Sequence, residues 1–126
     1  MRKKILIVDD EELTLMMTEG ILSGQYDIVT ATSGQEAIDL YATAQPDMVL
    51  SDLMMPNMTG FEMLEALRAK YGRIPIIFMT AHEGEENELK SLMSGAVDFI
   101  RKPLKADALL KSVTTIMDRL DAAKGM

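Results

Sequence analysis

The sequence predicts an α/β domain, a parallel sheet of five strands with helices on both faces. Three observations carry this. Short apolar runs without polar alternation recur along the chain, at Ile5-Leu6-Ile7-Val8, Met48-Val49-Leu50 and Ile74 to Met79, as strands covered on both faces should look. Segments with helical spacing separate these runs, and five strand–helix units in a row imply a parallel sheet. The chain has 126 residues, 48% of them hydrophobic. A chain of this size buries about two-thirds of its unfolded surface, enough for one core.

The first strand is Ile5 to Val8, followed by Leu13, Met16/Met17 and Ile21 at the spacing of an apolar helix face. Tyr26 to Ala31 reads as the second strand. Ser33 with Glu36 forms a capping box that opens a helix running to about Ala44, the serine accepting from the first turn and the glutamate reaching back. Asp47 to Ser51 is the third strand, and Thr59 with Glu62 offers a second capping box. Phe61, Leu64, Leu67 and Tyr71 then line one face of the third helix. Ile74 to Met79 is the fourth strand, with Pro75 near its start, where a proline is tolerated. Glu83 to Ser94 predicts a weakly apolar fourth helix closed by Gly95, Ala96 to Ile100 a fifth strand, and Leu109, Val113, Ile116 and Leu120 the last helix. Crossovers of such units are right-handed.

Composition narrows the function. No cysteine is present, which excludes disulfides, cysteine-ligated zinc and thiol catalysis. Thirteen basic against twenty acidic residues leave a net charge of −7, which argues against binding nucleic acid or an anionic membrane through a basic face. Met1-Arg2-Lys3-Lys4 followed by Ile5 to Val8 imitates the start of a signal peptide, but the apolar run stops at Asp9, short of the ~7–15 residues a signal needs and the ~20 of a membrane span. The chain therefore reads as cytoplasmic. Twelve methionines against three Phe, three Tyr and no Trp predict a soft aliphatic core.

The polar residues fall at the strand ends. In an open α/β sheet, ligands bind beyond the carboxyl ends of the strands, near a switch in strand order. Strand one ends in Asp9-Asp10, strand three in Asp52, strand four in Thr80, and strand five runs into Arg101-Lys102-Pro103. Each residue alone has an ordinary reading as a turn, cap or loop residue. Those readings do not predict all of them on the strands that meet. Three carboxylates in one crevice repel, and one would take up a proton. A divalent cation removes the conflict, and oxygen-only ligands suit Mg²⁺, with Mn²⁺ as a substitute. Three negative charges, a divalent ion and Lys102 sum to a neutral site that can accept a phosphoryl group, and a carboxylate can act as the nucleophile.

Ile5-Leu6-Ile7-Val8-Asp9-Asp10-Glu11, Asp52-Leu53-Met54-Met55-Pro56-Asn57-Met58-Thr59-Gly60, Thr80-Ala81 and Lys102-Pro103, in this order and strand context, resemble the receiver domain of response regulators, the chemotaxis-regulator-like modules of two-component signalling. The resemblance runs from about Lys3 to about Leu120 and implies a flavodoxin-like sheet in the order 2-1-3-4-5. By that resemblance Asp52 matches the phospho-acceptor and Asp10 the acidic residue that binds Mg²⁺, with Asp9 beside it completing the acidic pair, often through water. The backbone carbonyl of Met54 matches a third protein ligand to the metal. Thr80 matches the hydroxyl that moves toward the phosphoryl group, Lys102 the lysine that pairs with it, Phe99 the aromatic switch and Ala81 the small residue that leaves the acceptor open. The Lys102–Pro103 bond would be cis. Met54 and His82 stand where the family tunes the lifetime of the acyl phosphate. The Met54 side chain cannot orient water, and His82, the single histidine, reads as a solvated loop residue.

The implied function is a phosphorylation-dependent signalling receiver rather than an enzyme. Its phosphoryl group would come from a phosphohistidine on a sensor histidine kinase or a histidine phosphotransfer protein. Its output would be a downstream protein on the face made by the fourth helix, fifth strand and last helix, where Glu83, Glu85, Glu86 and Glu88 form an acidic patch. No direct nucleic-acid contact and no membrane insertion are expected. Since the motifs take up nearly all of residues 1–126, a single receiver with no attached output domain is expected, unless the chain is a piece of a longer one. Two other readings are an Mg²⁺-dependent aspartyl-phosphate phosphatase and a phosphate-independent interaction module. The first usually has a second aspartate two residues after the nucleophile, where this chain has Met54. The intact Asp10, Asp52, Thr80 and Lys102 weigh against the second.

Overall fold

The computed structural model describes residues 2–80 and 98–124. Within them lie five strands, β1 (Lys4–Val8), β2 (Asp27–Ala31), β3 (Met48–Asp52), β4 (Ile76–Thr80) and β5 (Asp98–Arg101). Four helices accompany them, α1 (Glu12–Leu22), α2 (Gly34–Ala44), α3 (Gly60–Tyr71) and α4 (Ala106–Lys124). The helix expected over 83–94, Gly95, Ala81, His82 and the acidic patch lie outside the described residues. The strands form one parallel sheet in the order β2-β1-β3-β4-β5.

That order explains the sequence runs. β3 and β4 are central and buried at every position, whereas the edge strands β2 and β5 are largely half-buried. Alternate residues feed two cores. Ile5, Ile7, Met48, Leu50, Ile77 and Met79 pack with Leu15 and Leu22 of α1 and with Leu109, Val113, Ile116 and Met117 of α4. Leu6, Val8, Val49, Ile76 and Phe78 pack with Ala37 of α2 and with Met63, Leu64 and Leu67 of α3. An unbroken apolar run is therefore two interleaved faces, each with its own helices.

Three strands end later than the apolar pattern suggests. Asp52, Thr80 and Arg101 all belong to strands, because the ladder is made by backbone groups and continues past the last apolar side chain. β4 starts after Pro75, whose carbonyl still accepts from Val49 N–H at 2.9 Å. β2 starts one residue after Tyr26, which is itself buried, its hydroxyl 3.3 Å from that of Thr114 on α4.

The largest departure is α1. Leu13, Met16 and Met17, expected to face the core, are 69%, 68% and 53% exposed. Leu15, Thr18 and Leu22 are buried instead. Thr18 tolerates this because its hydroxyl donates to the Thr14 carbonyl at 2.7 Å, which satisfies the polar group within the helix. In α2, Ser33 accepts from Glu36 N–H at 3.1 Å, but the Glu36 carboxylate reaches Thr32 N–H rather than Ser33. The Thr59–Glu62 box of α3 is reciprocal. Of the third helix's expected face, Leu64 and Leu67 are fully buried, while Phe61 and Tyr71 pack at its margin.

These placements predict unequal costs. Leu15→Ala removes a core side chain and should cost about 2–5 kcal/mol in urea denaturation, whereas Met16→Gln should stay within about 0.5 kcal/mol. Equal losses at the two positions would contradict the orientation of α1.

Candidate functional site

The carboxyl ends of β1, β3, β4 and β5 converge on one crevice. Asp9, just past β1, is fully buried. One of its carboxylate oxygens accepts from Glu11 N–H at 3.0 Å, and the other accepts from Lys102 Nζ at 2.9 Å. Asp52, the last residue of β3, is 7% exposed, and its Oδ2 lies 3.3 Å from the same ammonium. Asp10 is exposed at the mouth of the crevice. One carboxylate oxygen from each of Asp9, Asp10 and Asp52 lies within 4.8 Å of the others.

Thr80 ends β4 and is 3% exposed. Its carbonyl accepts from Lys102 N–H at 2.7 Å, which ties the strand carrying the hydroxyl to the loop carrying the ammonium. The Lys102–Pro103 peptide bond is cis. Phe99, half-buried on β5, pairs in register with Phe78 of β4 and packs against the α2–α3 core. Met54 is 49% exposed, and Asn57 in the same loop holds a left-handed conformation (φ 69°), which asparagine adopts more readily than most residues.

The electrostatics follow from burial. Burial pushes the Asp52 carboxyl above its ordinary value of 3.8 and the Asp9 charge adds to this, while the Lys102 ammonium and the Met54 backbone pull the other way without cancelling it. For Lys102, burial alone would lower the pKa, but its hydrogen bond to Asp9 and the charges of Asp52 and Asp9 win, and the net shift is upward. One ammonium thus holds two carboxylates, tightly at Asp9 and more loosely at Asp52. The cluster fits a hard divalent cation, with oxygen donors only, one of them exposed, and a surplus of negative charge that Lys102 alone does not neutralise.

The resemblance gives Asp10 and Asp9 different parts in the acidic pair, and the structure places them differently as well. Asp9 is buried against the lysine and Asp10 faces solvent. Consecutive residues at the end of a strand point opposite ways, so the two must differ, but which one meets Lys102 depends on how β1 ends.

A family model, the response regulator receiver domain, matches residues 5–114. The chain belongs to the response regulator receiver domain family. This receiver is 37% identical over 125 residues to the alkaline phosphatase synthesis transcriptional regulatory protein PhoP of Bacillus subtilis, a match covering 98% of this chain and 52% of that protein. The chain therefore spans about half the length of that relative. Among solved structures it resembles a CheY-like receiver domain protein from Methanospirillum hungatei, with 29% identity, a TM-score of 0.90 and coverage of 98% and 99% of the two chains. It also resembles the chemotaxis response regulator CheY4 of Vibrio cholerae, with 32% identity, a TM-score of 0.85 and coverage of 92% and 99%. Receiver domains are signalling modules that take phosphoryl groups from histidine kinases or phosphotransfer proteins. Because the family includes transcriptional regulators, membership does not exclude an output directed at nucleic acid. No helix among the described residues is long and apolar enough to cross a membrane.

The raised Asp52 pKa gives a signed prediction for the metal-free receiver. A carboxylate whose pKa is higher in the folded state contributes stability fully below its unfolded pKa and loses it as pH rises through the folded pKa. Asp52→Asn should therefore melt a few degrees higher than wild type at pH 7 without divalent metal. The difference should vanish near pH 3, where Asp52 is protonated in both states. Thermal melts in chelator at the two pH values check this, and a lower Tm for Asp52→Asn at pH 7 would reverse it.

Proposed function

We propose that this receiver takes a phosphoryl group onto Asp52 from a phosphohistidine, with Mg²⁺ bound, and thereby switches its affinity for a partner protein. The observation that carries this reading is the pairing of a nearly buried Asp52 with the Lys102 ammonium at 3.3 Å, inside a cluster of three carboxylates. In the transfer, an Asp52 carboxylate oxygen forms the bond to phosphorus as the phosphorus–nitrogen bond of the donor breaks, and the imidazole leaves with the electron pair. Asp9, Asp10, Asp52 and the Met54 carbonyl would hold the Mg²⁺, which would neutralise charge on the transferring group. Lys102 keeps the Asp52 carboxylate in place and takes a phosphoryl oxygen as a new partner. Thr80 donates its hydroxyl to another oxygen.

The switch rests on the β4–β5 ladder. Thr80 pairs with Arg101, and Phe99 lies two residues before Arg101 on the same strand. A shift of Thr80 toward the phosphoryl group opens space that Phe99 fills by turning inward, which biases a two-state surface. The downstream protein would bind a face to which β5 and α4 contribute. The receiver performs phosphorylation and slow dephosphorylation of itself and does not turn over a separate substrate.

Incubation with Mg²⁺ and a small phosphodonor should add one labile phosphoryl group by mass spectrometry, and the adduct should be absent in Asp52→Asn. A wild-type protein that acquires no adduct would sink the proposal. Mg²⁺ at ten times its Kd should raise stability by roughly 1.4 kcal/mol through mass action, seen as a higher Tm that Asp10→Ala abolishes. A Tm that does not respond to Mg²⁺ in wild type would remove the metal from the scheme.

A further inference from the structure

The acceptor strand and the helix that follows it meet at a point with no spare volume. Gly60, the first residue of α3, donates its N–H to the Leu53 carbonyl at 2.8 Å. A methyl group at Gly60 would lie 2.7 Å from the Asp52 carbonyl oxygen, 2.8 Å from Cε1 of Phe78 and 3.2 Å from Cα of Leu53. Two of those three neighbours are backbone atoms of the acceptor and the next residue, so they cannot swing aside as the end of a flexible side chain can. Phe78 is fully buried and sits edge-to-face with Phe61, ring centroids 5.3 Å apart. The capping box at Thr59 and Glu62 locks the helix end from the other side. Helix α3 is thus keyed directly onto the backbone of Asp52.

We propose that Gly60 is a positioning residue for phosphorylation, its missing side chain letting α3 seat against the Asp52 backbone so that the acceptor carboxylate keeps its register with Lys102 and the metal ligands. The inference rests on Asp52 being the acceptor. The expected effect runs against helix propensity, because glycine to alanine inside a helix normally stabilises. Here the added methyl must push apart α3 and the end of β3, and a misplacement of about 1 Å at a reacting group can cost on the order of 100-fold in rate.

The test is the rate of adduct formation at saturating small phosphodonor and Mg²⁺, measured below the melting transition. Gly60→Ala should be slower than wild type by about 10- to 100-fold. Leu67→Ala, which loosens α3 in the core away from the acceptor, should lose stability but keep its rate within about twofold. Adding Phe78→Leu to Gly60→Ala removes the ring contact and leaves the backbone contact. It should recover part of the Tm without recovering the rate. The proposal is overturned if Gly60→Ala reacts at the wild-type rate, if Leu67→Ala slows as much, or if rate and Tm return together in the double variant. Should Gly60→Ala not fold, Thr59→Ala carries the test, since it frees the same helix end without adding an atom. A rate loss beyond that of Leu67→Ala supports the proposal, and an equal or smaller one overturns it. Failure of wild type to form the adduct would defeat the phosphorylation reading itself and is separate from all these outcomes.

Discussion

Two carboxylates buried side by side, with one ammonium between them, set the terms for the rest of the molecule. Asp9 and Asp52 repel, and Lys102 relieves this at 2.9 and 3.3 Å. Removing charge from water is costly unless it is paired, and the sheet that bears this cost is packed on two hydrophobic cores. At Asp52 burial outweighs the Lys102 ammonium, and the carboxyl is held above its ordinary value. Three carboxylates against one ammonium leave a surplus of negative charge that suits a divalent cation.

The parallel sheet is what permits the cluster to exist. All five strands point their carboxyl ends the same way, so residues separated by more than ninety positions in sequence arrive at one crevice. β3 brings Asp52 from the centre of the sheet, where every residue is buried, and this limits how far its carboxylate can relax. The helices finish the arrangement from outside. The Lys102 backbone is tied to Thr80, and the start of α3 to Leu53. Asp52 is thus held by its strand, by Lys102 and by the helix that follows it at once. A rigid setting of this kind lets a small change at one atom be felt at a neighbouring strand.

Most of the fold was legible because apolar runs of strand length are hard to explain otherwise. The elements misread were those in which several faces were apolar. Helix α1 carries Leu13, Leu15, Met16, Met17, Ile21 and Leu22, so apolar spacing alone allows more than one inward face. Packing chose Leu15, Thr18 and Leu22, and a threonine that satisfies its own hydroxyl was not visible as a core residue. Strand ends were placed early for a related reason, since a polar residue can continue a ladder by its backbone.

The sequence by itself determined the class of fold, the ladder of strand ends and the residue types gathered there, because hydrophobic period and polar placement are local properties of the chain. It also carried the ordered motifs by which the family is known. Tertiary structure alone decided that Asp9, and not Asp10, lies buried against Lys102, that burial raises the Asp52 pKa, and that a side chain at Gly60 would meet the Asp52 carbonyl. Each depends on distances between segments remote in sequence, and burial and charge pairing exist only once those segments have packed.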